Sequence, residues 1–353
     1  MTRRLIAVLA IALAAACGGG GKNVASETTA ESTSSTTSTT VATTTPPPPP
    51  TAPLTGLPID PALVNRVALV VKIDNGEPKS RPQQGLNQAD LVYEEMVEGT
   101  VTRFAAVFQS QNAVNRVIPV RSARTTDIAL FTPLNYPLYA WSGANRDFKV
   151  IIRDAPMIDV GYDAASDLYH RDHDRPAPSN LYTTTEELFS LAPGDSVPPP
   201  ALFQYRAATE PTPAGAQPVS RVHVSFGGGA GSAPVDWGWD PASGTWLRWQ
   251  RGTAHVDETG QQIAPRNVVI EFCGYHDTGY VDTSGSVVFE ADTVGEGDVW
   301  VLTNGVLVVG HWSKPSNEAV TTYTDLAGAP IKLTPGQTWV QLPWQGRADV
   351  SVE

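Results

Sequence analysis

The chain has 353 residues, a length that suits two domains of ordinary size. It carries 24 Lys and Arg against 36 Asp and Glu, which gives a formal net charge of −12. This acidic balance argues against nucleic acid as a partner, because phosphate binding requires clustered positive charge. The chain has two cysteines, Cys17 and Cys273, so it is not a disulfide scaffold.

Residues 1–17 have the features of a bacterial lipoprotein signal peptide. Two arginines precede an apolar run, 5–16, that is too short to span a bilayer. Small residues directly before Cys17 resemble a lipobox, in which that cysteine becomes the lipidated first residue of the mature chain. We therefore predict an extracytoplasmic protein that is anchored to the cell membrane by an N-terminal lipid. An ordinary secretory signal with an incidental cysteine is the alternative.

Residues 18–53 show no pattern that could form a core. The stretch 26–45 contains 15 Ser or Thr among its 20 residues, and 46–50 is an unbroken proline run. Such a segment cannot bury enough apolar surface to offset its ordering entropy. We therefore predict a disordered linker, rich in Ser, Thr and Pro, that holds the folded part away from the membrane.

The remaining 300 residues match two folded domains. Residues 54–195 mix strand and helix patterns, which predicts a mixed α/β domain. A proline-rich connection follows at 196–220, and residues 221–353 form a predicted β-rich domain. The predicted fold class is therefore α+β followed by a mostly-β domain, behind a disordered tethered linker.

The elements of the first domain follow from local patterns. The run 67–73 is apolar and β-branched and ends at Asp74-Asn75-Gly76, which predicts a buried strand. Thr184 with Glu187 three residues later fits a capping box. Further strands are predicted at 91–97, 101–108 and 138–141, and helices at 122–131, 145–153 and 184–191.

The second domain is nearly all strand and turn, which is typical of a β-sandwich or open barrel. Asn304-Gly305 between two apolar runs predicts a tight hairpin. The predicted strands are 222–226, 245–250, 267–272, 286–290, 299–303, 306–312 and 339–342.

The predicted hairpin 91–108 groups charged residues. A two-residue turn between its strands would place Glu94, Glu98 and Arg103 on one face. Two carboxylates around an arginine form a candidate ligand-binding or acid/base cluster, with Glu98 or Glu94 as the acid/base group. A solvated ion-pair face is the alternative. Glu95 falls on the apolar face, so it has a buried partner or the register differs.

Two further motifs could contribute to a site. Arg121 and Arg124 flank Ser122, a predicted helix N-cap, and free N–H groups beside two arginines favour an anion. The alternative is that these arginines pair with the acidic face of the hairpin. Asp74 and Asn75 end the first strand, where a carboxylate can meet a ligand, although a simple Asx turn is the preferred interpretation.

The sequence gives little support for a metal or a cofactor. His170 and His173 are spaced as His-x-x-His beside an aspartate, a weak metal-site pattern with no third ligand. A solvated loop, or one that folds over a nearby site, is the preferred interpretation. Cys273 follows an apolar strand and is predicted to be a buried thiol. The run Gly227-Gly228-Gly229 lacks the Lys-Ser/Thr ending of a phosphate loop, and we expect no cofactor.

Several motifs together resemble one bacterial family. In chain order they are Pro-Leu-Thr-Gly-Leu-Pro at 53–58, Ile-Asp-Asn at 73–75, Arg-Pro-Gln-Gln-Gly-Leu at 81–86, Ala-Asp-Leu-Val-Tyr-Glu at 89–94, Val-Glu-Gly-Thr-Val-Thr-Arg-Phe at 97–104, Pro-Val-Arg-Ser-Ala-Arg at 119–124 and Gly-Gln-Thr-Trp-Val at 336–340. They resemble the YerB-like bacterial lipoproteins, a family of unknown function called DUF3048 that has an N-terminal and a C-terminal domain.

The resemblance implies an envelope lipoprotein with two such domains and brings no established reaction. It implies that seven charged residues occupy motif positions of the family: Asp74, Arg81, Glu94, Glu98, Arg103, Arg121 and Arg124. Family members often carry Pro-His-Asn near the end of the first domain. This chain has Ser179 in place of that histidine, so a role that needs the histidine is not expected here.

The leading hypothesis is a surface-anchored binding or scaffolding lipoprotein with a polar, anion-capable site in its first domain. Its expected partners are the membrane, through the lipid anchor, and a cell-wall glycan or an envelope protein. The alternative is an envelope hydrolase or transferase that acts on cell-wall glycan or a phosphate-bearing polymer. In that case Glu98 or Glu94 would be the acid/base group and the arginines would hold an anionic group.

Overall fold

A computed structural model describes residues 49–76, 79–111, 113–213, 215–227, 234–282 and 285–353. The predicted signal peptide, the lipidation candidate Cys17 and most of the predicted linker lie outside these ranges. Within these ranges no helix has the length and apolar character needed to cross a bilayer.

The helices in the described ranges are short and lie in the first part of the chain. The α-helices are α1 (Thr126–Phe131), α2 (Arg146–Asp154) and α3 (Thr185–Phe189), and 3-10 turns occur at Pro61–Leu63, Glu98–Thr100, Thr132–Leu134 and Ser166–Leu168. The predicted cap of α3 is confirmed, because Thr184 Oγ1 accepts a hydrogen bond from the Glu187 N–H at 3.1 Å.

Strands dominate the rest, which confirms an α+β part followed by a mostly-β part. Up to residue 218 they are β1 (Leu69–Asp74), β2 (Leu91–Met96), β3 (Thr102–Phe108), β4 (Leu138–Ala140), β5 (Ile158–Asp159), β6 (His170–Arg171), β7 (Leu181–Tyr182), β8 (Gln204–Tyr205) and β9 (Gln217–Pro218). After residue 218 they are β10 (Arg221–Ser225), β11 (Val235–Asp240), β12 (Thr245–Gln250), β13 (Thr253–Ala254), β14 (Asn267–Glu271), β15 (Tyr275–Val281), β16 (Val287–Ala291), β17 (Gly295–Thr303), β18 (Val306–Lys314), β19 (Thr322–Asp325), β20 (Lys332–Leu333), β21 (Thr338–Leu342) and β22 (Asp349–Val352).

Eleven strands form one mixed sheet that contains strands from both sides of the proline-rich stretch. Its order is β19-β18-β17-β14-β21-β2-β3-β1-β4-β5, with β9 paired to β18. The late strand β21 lies between β14 and β2 and runs parallel to both. Strands β1, β2, β3, β14 and β21 are buried along their whole length. The core therefore covers both faces of the middle of this sheet.

A second sheet of five antiparallel strands, β13-β12-β11-β10-β22, packs against the first. Along β12, Trp246, Arg248 and Gln250 are buried while their neighbours are partly exposed, as expected for a sheet with one face on a core. Trp237 of β11 packs edge-on against Trp339 of β21, with 5.5 Å between ring centroids. The strands predicted to form a sandwich or barrel of their own are thus divided between two sheets.

Two hairpins test the predicted turns. The β17–β18 hairpin is confirmed, because Asn304 and Gly305 both have positive φ, at 50° and 77°. The predicted register of β2 and β3 is wrong. Their connection is the three-residue Glu98–Thr100, in which Gly99 has a φ of 67°, and Glu95 therefore lies opposite Arg103.

The change of register moves side chains between faces. Because side chains alternate along a strand, a slip of one residue sends a side chain to the opposite face. Glu94 lies opposite Phe104, whereas Glu95 lies opposite Arg103. Glu94 and Arg103 therefore point to opposite faces of the sheet rather than to one shared face.

Candidate functional site

The charged residues of the β2–β3 hairpin separate into two clusters, one on each face of the sheet. The first borders a cavity of about 280 Å³. We name it the arginine cavity, and its charged walls are Glu98, Arg103, Arg121, Arg124 and Asp282. The second lies between the two sheets. We name it the closed cluster, and it contains Asn75, Gln83, Glu94, Arg248, Gln250 and His255.

Arg124 and Glu98 form the inner wall of the arginine cavity. Arg124 Nε donates to Glu98 Oε2 at 2.7 Å, and Nη2 donates to Oε1, so the pair is bidentate. The exposed fractions of the two side chains are 6% and 10%. Burial lowers the pKa of Arg124, with nearby carboxylates acting in the opposite direction. Both oxygens of Glu98 are therefore occupied from within the protein.

Arg103 borders the same cavity and is held less completely. Its Nη1 reaches the Ser122 carbonyl oxygen and its Nη2 reaches Glu98 Oε1, both at 3.4 Å, beyond the usual hydrogen-bond range. Its Nε is buried and has no hydrogen-bond partner among the described residues. Burial lowers the pKa of Arg103, because desolvation disfavours the charged form. This guanidinium has hydrogen-bonding capacity that the protein does not use.

Arg121 is the most exposed of the three arginines that line the cavity. Its side chain is 29% exposed, and its Nε donates to Asp74 Oδ2 at 3.2 Å. Asp74 also accepts hydrogen bonds from the Gly76 N–H at 3.1 Å and from Ser179 Oγ at 3.3 Å. Ser179, where family members often have histidine, thus contacts the carboxylate that positions Arg121.

A buried charge network supports the base of the cavity. Lys72 is fully buried and donates to Glu95 and, at 2.5 Å, to Asp127 Oδ1. Asp127 Oδ2 accepts the Arg124 N–H at 2.6 Å and the hydroxyl of Tyr139. Asp127 therefore fixes the backbone from which Arg124 projects.

The structure shows the partner of Glu95 and corrects the predicted start of the first helix. Glu95 has the buried partner that its apolar position required, namely Lys72, and burial raises the pKa of the Glu95 carboxyl. The predicted helix N-cap at Ser122 is wrong, because α1 begins at Thr126. Arg121 and Arg124 therefore lie in the irregular segment before this helix.

Glu94 is the centre of the closed cluster and has no exposed surface. It accepts four hydrogen bonds, from Arg248 Nη2 at 2.8 Å, Thr102 Oγ1 at 2.9 Å, Trp339 Nε1 at 3.1 Å and Gln341 Nε2 at 2.9 Å. Donors from both sheets thus surround this carboxylate. Glu94 has the environment of a structural ion-pair partner, and it lies outside the arginine cavity.

Arg248 connects the two sheets through this carboxylate. It is fully buried, and the rings of Phe104, Trp237 and Trp339 lie 5.4, 5.7 and 5.2 Å from its guanidinium carbon. These cation–π contacts add to the charged hydrogen bond with Glu94. Burial, followed by the charge of Arg248, holds the pKa of neighbouring His255 well below its usual value.

Asn75 and Arg81, two further predicted site residues, are hydrogen-bonded into the closed cluster. Asn75 Nδ2 donates to Thr102 Oγ1 at 2.7 Å and to Gln250 Oε1 at 3.2 Å. Arg81 Nη2 donates to Asn75 Oδ1 at 3.0 Å. The structure therefore brings Glu98, Arg103, Arg121 and Arg124 to one cavity, with Asp74 behind Arg121. It places Glu94, Asn75 and Arg81 elsewhere.

Three buried charged residues of these clusters were not predicted as site components: Lys72, Asp127 and Arg248. Arg248 had a usable signal, because Trp246, Arg248 and Gln250 alternate along one predicted strand and therefore share a face. Lys72 is the one charged residue of the apolar run 67–73, which also indicates a buried partner.

The histidine pair lies apart from both clusters. His170 Nε2 contacts Glu187 Oε1 at 2.9 Å, and His173 is exposed. In the described ranges no group of three or more His, Cys, Asp or Glu side chains could hold a metal ion. Cys273 is 1% exposed, as predicted, and burial raises the pKa of its thiol.

The fold and the sequence define the class of protein. Residues 54–197 match the N-terminal domain of DUF3048, described as a protein of unknown function, and residues 222–340 match its C-terminal domain. The chain belongs to the DUF3048 family. The resemblance seen in the motifs is thereby confirmed.

One relative is known by sequence and by structure. The chain is 29% identical over 300 residues to YerB of Bacillus subtilis (strain 168), whose name describes it as a lipoprotein; the match covers 82% of this chain and 85% of the relative. The crystal structure of the YerB protein from Bacillus subtilis superposes with a TM-score of 0.71 at 26% identity. That match covers 85% of this chain and 99% of the solved chain.

Proposed function

We propose that this protein is a cell-envelope lipoprotein that binds an anionic group, a carboxylate or a phosphate, in the arginine cavity. The lipobox-like sequence before Cys17 and the lipoprotein name of the relative support anchoring outside the cytoplasm. The Ser/Thr/Pro-rich stretch 18–53 would serve as the tether, and the cavity would carry the binding activity.

The observation that carries this proposal is the state of Arg103. Its guanidinium is buried, its two contacts are 3.4 Å long, and its Nε has no partner among the described residues. A buried donor without an acceptor costs about 1–3 kcal/mol, and more when it is charged. An anion in the cavity would supply an acceptor to this guanidinium, and guanidinium groups bind carboxylates and phosphates through paired hydrogen bonds.

The two candidate acid/base groups support binding rather than hydrolysis or transfer. Glu98 is engaged through both oxygens by Arg124, and Glu94 accepts four hydrogen bonds with no exposed surface. A general acid or base must reach the proton that it transfers. Glu94 is closed off from the cavity, and Glu98 would have to break a bidentate ion pair. We therefore favour a binding protein over an envelope enzyme.

The test is a calorimetric titration of the full chain with inorganic phosphate and with acetate. The variants are Arg121→Gln and a matched control, Arg206→Gln, whose side chain lines a different cavity. We expect Arg121→Gln to weaken anion binding about tenfold, equivalent to about 1.4 kcal/mol, and Arg206→Gln to leave it unchanged. No binding of either anion, or an equal loss in both variants, would overturn the proposal.

A further inference from the structure

A second cleft adjoins the arginine cavity and carries the opposite charge. It has a volume of about 390 Å³, and Phe148 borders both. Asp277 and Glu290 line the second cleft, and among its described lining residues there is no Lys or Arg. His276, at its edge, contacts Asp292 at 2.7 Å. We name it the acidic cleft.

The boundary between the two spaces is aromatic and fixed. Phe148 of α2 is 1% exposed and packs edge-on against Tyr280 of β15, with 4.9 Å between ring centroids. At the start of the same helix, Asn145 Nδ2 donates to the Val281 carbonyl oxygen at 2.9 Å. Helix α2 is therefore attached at two points to the β15–β16 hairpin, which holds the two spaces side by side.

Several apolar side chains of α2 and of the facing hairpin remain exposed. Val150 and Ile151 of α2 are 59% and 39% exposed, and Val281 and Val287 of the facing hairpin are 52% and 37% exposed. Ile151 also lines the acidic cleft. Exposed apolar residues grouped beside polar cavities are typical of binding sites. The surface thus presents cationic, apolar and anionic parts next to one another.

From this arrangement we infer that the ligand is a zwitterionic peptide. Its carboxylate occupies the arginine cavity, its apolar part packs near Phe148 and Ile151, and its ammonium group lies in the acidic cleft beside Asp277 and Glu290. Opposite charges placed in this way select a ligand through complementarity and repel one whose charges are reversed or alike. The inference rests on the proposed function, because the carboxylate uses the same arginines.

Two other anionic ligand classes fit these two spaces less well. A phosphate-bearing polymer would bring a second negative group towards Asp277 and Glu290, where like charges repel. An acyl chain would have to bury the same carboxylates, which costs free energy without a compensating partner. A peptide with an amine satisfies both carboxylates, and its backbone offers donors and acceptors to the Asn317 side chain that lines the cleft.

The test uses lysyl-alanine peptides of two, three and four residues, titrated into the full chain. Each peptide is compared with its C-terminal amide and with the form acetylated on both amines. We expect the best free peptide to bind at least about tenfold more tightly than acetate, and amidation or acetylation each to remove most of that gain. Arg121→Gln should abolish the effect of amidation, and Glu290→Gln the effect of acetylation. Glu296→Gln, an exposed acid on β17, is the matched control.

The outcomes separate this inference from the proposed function. If phosphate or acetate binds and depends on Arg121, but peptides bind no more tightly and acetylation has no effect, the peptide is excluded and the anion site remains. Tighter binding of dodecyl phosphate than of any peptide would likewise exclude the peptide, in favour of an amphiphilic anion. If no anion or peptide binds, both conclusions fail.

Discussion

The closed cluster and the arginine cavity lie on opposite faces of the same two strands, and they differ in how their charges are satisfied. In the closed cluster, Glu94 accepts four hydrogen bonds at 2.8–3.1 Å and has no contact with solvent. In the arginine cavity, Arg103 has two contacts of 3.4 Å and a buried Nε without a partner among the described residues.

The difference shows why charge alone does not identify a site. Glu94 and Glu95 are neighbours in sequence and both are buried, yet they point to opposite faces and belong to different networks. A carboxylate whose two oxygens are filled by donors within the fold, as those of Glu94 are, contributes to structure. The proposed site differs in that Arg103, whose hydrogen-bonding capacity is only partly used, lines a cavity.

The largest expected effect is on the closed cluster. Replacing Arg248→Met removes the cation that balances Glu94 and leaves a buried carboxylate without its charged partner. Breaking one side of a buried ion pair costs about 3–5 kcal/mol, so the free energy of unfolding should fall by that amount in urea denaturation. The matched variant Arg206→Met, at a half-buried surface position, should cost under about 1 kcal/mol. If Arg248→Met lowers the free energy of unfolding as little as Arg206→Met does, the closed cluster does not stabilise the fold.

A third buried carboxylate extends the comparison to pH. Glu271 is 3% exposed, and its Oε2 accepts a hydrogen bond from the Tyr323 hydroxyl at 3.0 Å. Burial raises its pKa from 4.5 to about 7, against the opposing effects of the Tyr323 hydrogen bond and Lys314. Burial thus leaves a carboxyl that is mostly protonated below about pH 7 in the folded state.

The sign of the pH effect follows from linkage. Between pH 4.5 and about 7 the folded state binds more protons at Glu271 than the unfolded state, so stability falls as the pH rises through this window. The loss should reach about 3 kcal/mol and should be absent in Glu271→Gln. The check is urea unfolding of both proteins at several pH values. If the difference between them does not change with pH, Glu271 is ionised in the folded protein.

A smaller effect is expected at Glu98, and its direction is informative. Glu98→Gln removes the carboxylate that competes for Arg124 and Arg103, so the affinity for phosphate should rise several-fold. Calorimetry on the variant measures this change, and Glu296→Gln is the control. A fall in affinity would instead mean that Glu98 itself contacts the ligand, as an acid/base role requires.

Local patterns predicted much of the secondary structure. The β12 bounds, 245–250, were predicted in full, and the capping box at Thr184 and the Asn304-Gly305 hairpin are present. These features depend on residues close in sequence. Burial along β12 was also readable, since Trp246 and Arg248 alternate with partly exposed residues.

Such local patterns do not predict which distant strands pair with each other. Strand β21 pairs in parallel with β2, and the paired residues Gln341 and Glu94 are 247 positions apart. Nothing in either strand's own sequence specifies that partner. The register of β2 and β3 depended on one turn. Because Gly99 sits in a three-residue connection instead of a two-residue turn, Glu94 was assigned to the wrong face. Four of the predicted site residues nevertheless meet at one cavity.

The most direct test of the central claim is to locate an anion in the protein. Crystals grown in selenate would show the anion by its anomalous scattering. We predict a peak in the arginine cavity, within hydrogen-bonding distance of the Arg103 guanidinium and close to Arg121. Selenate bound only at other surface arginines, with the cavity empty, would contradict the claim that the unused donor of Arg103 serves an anionic ligand.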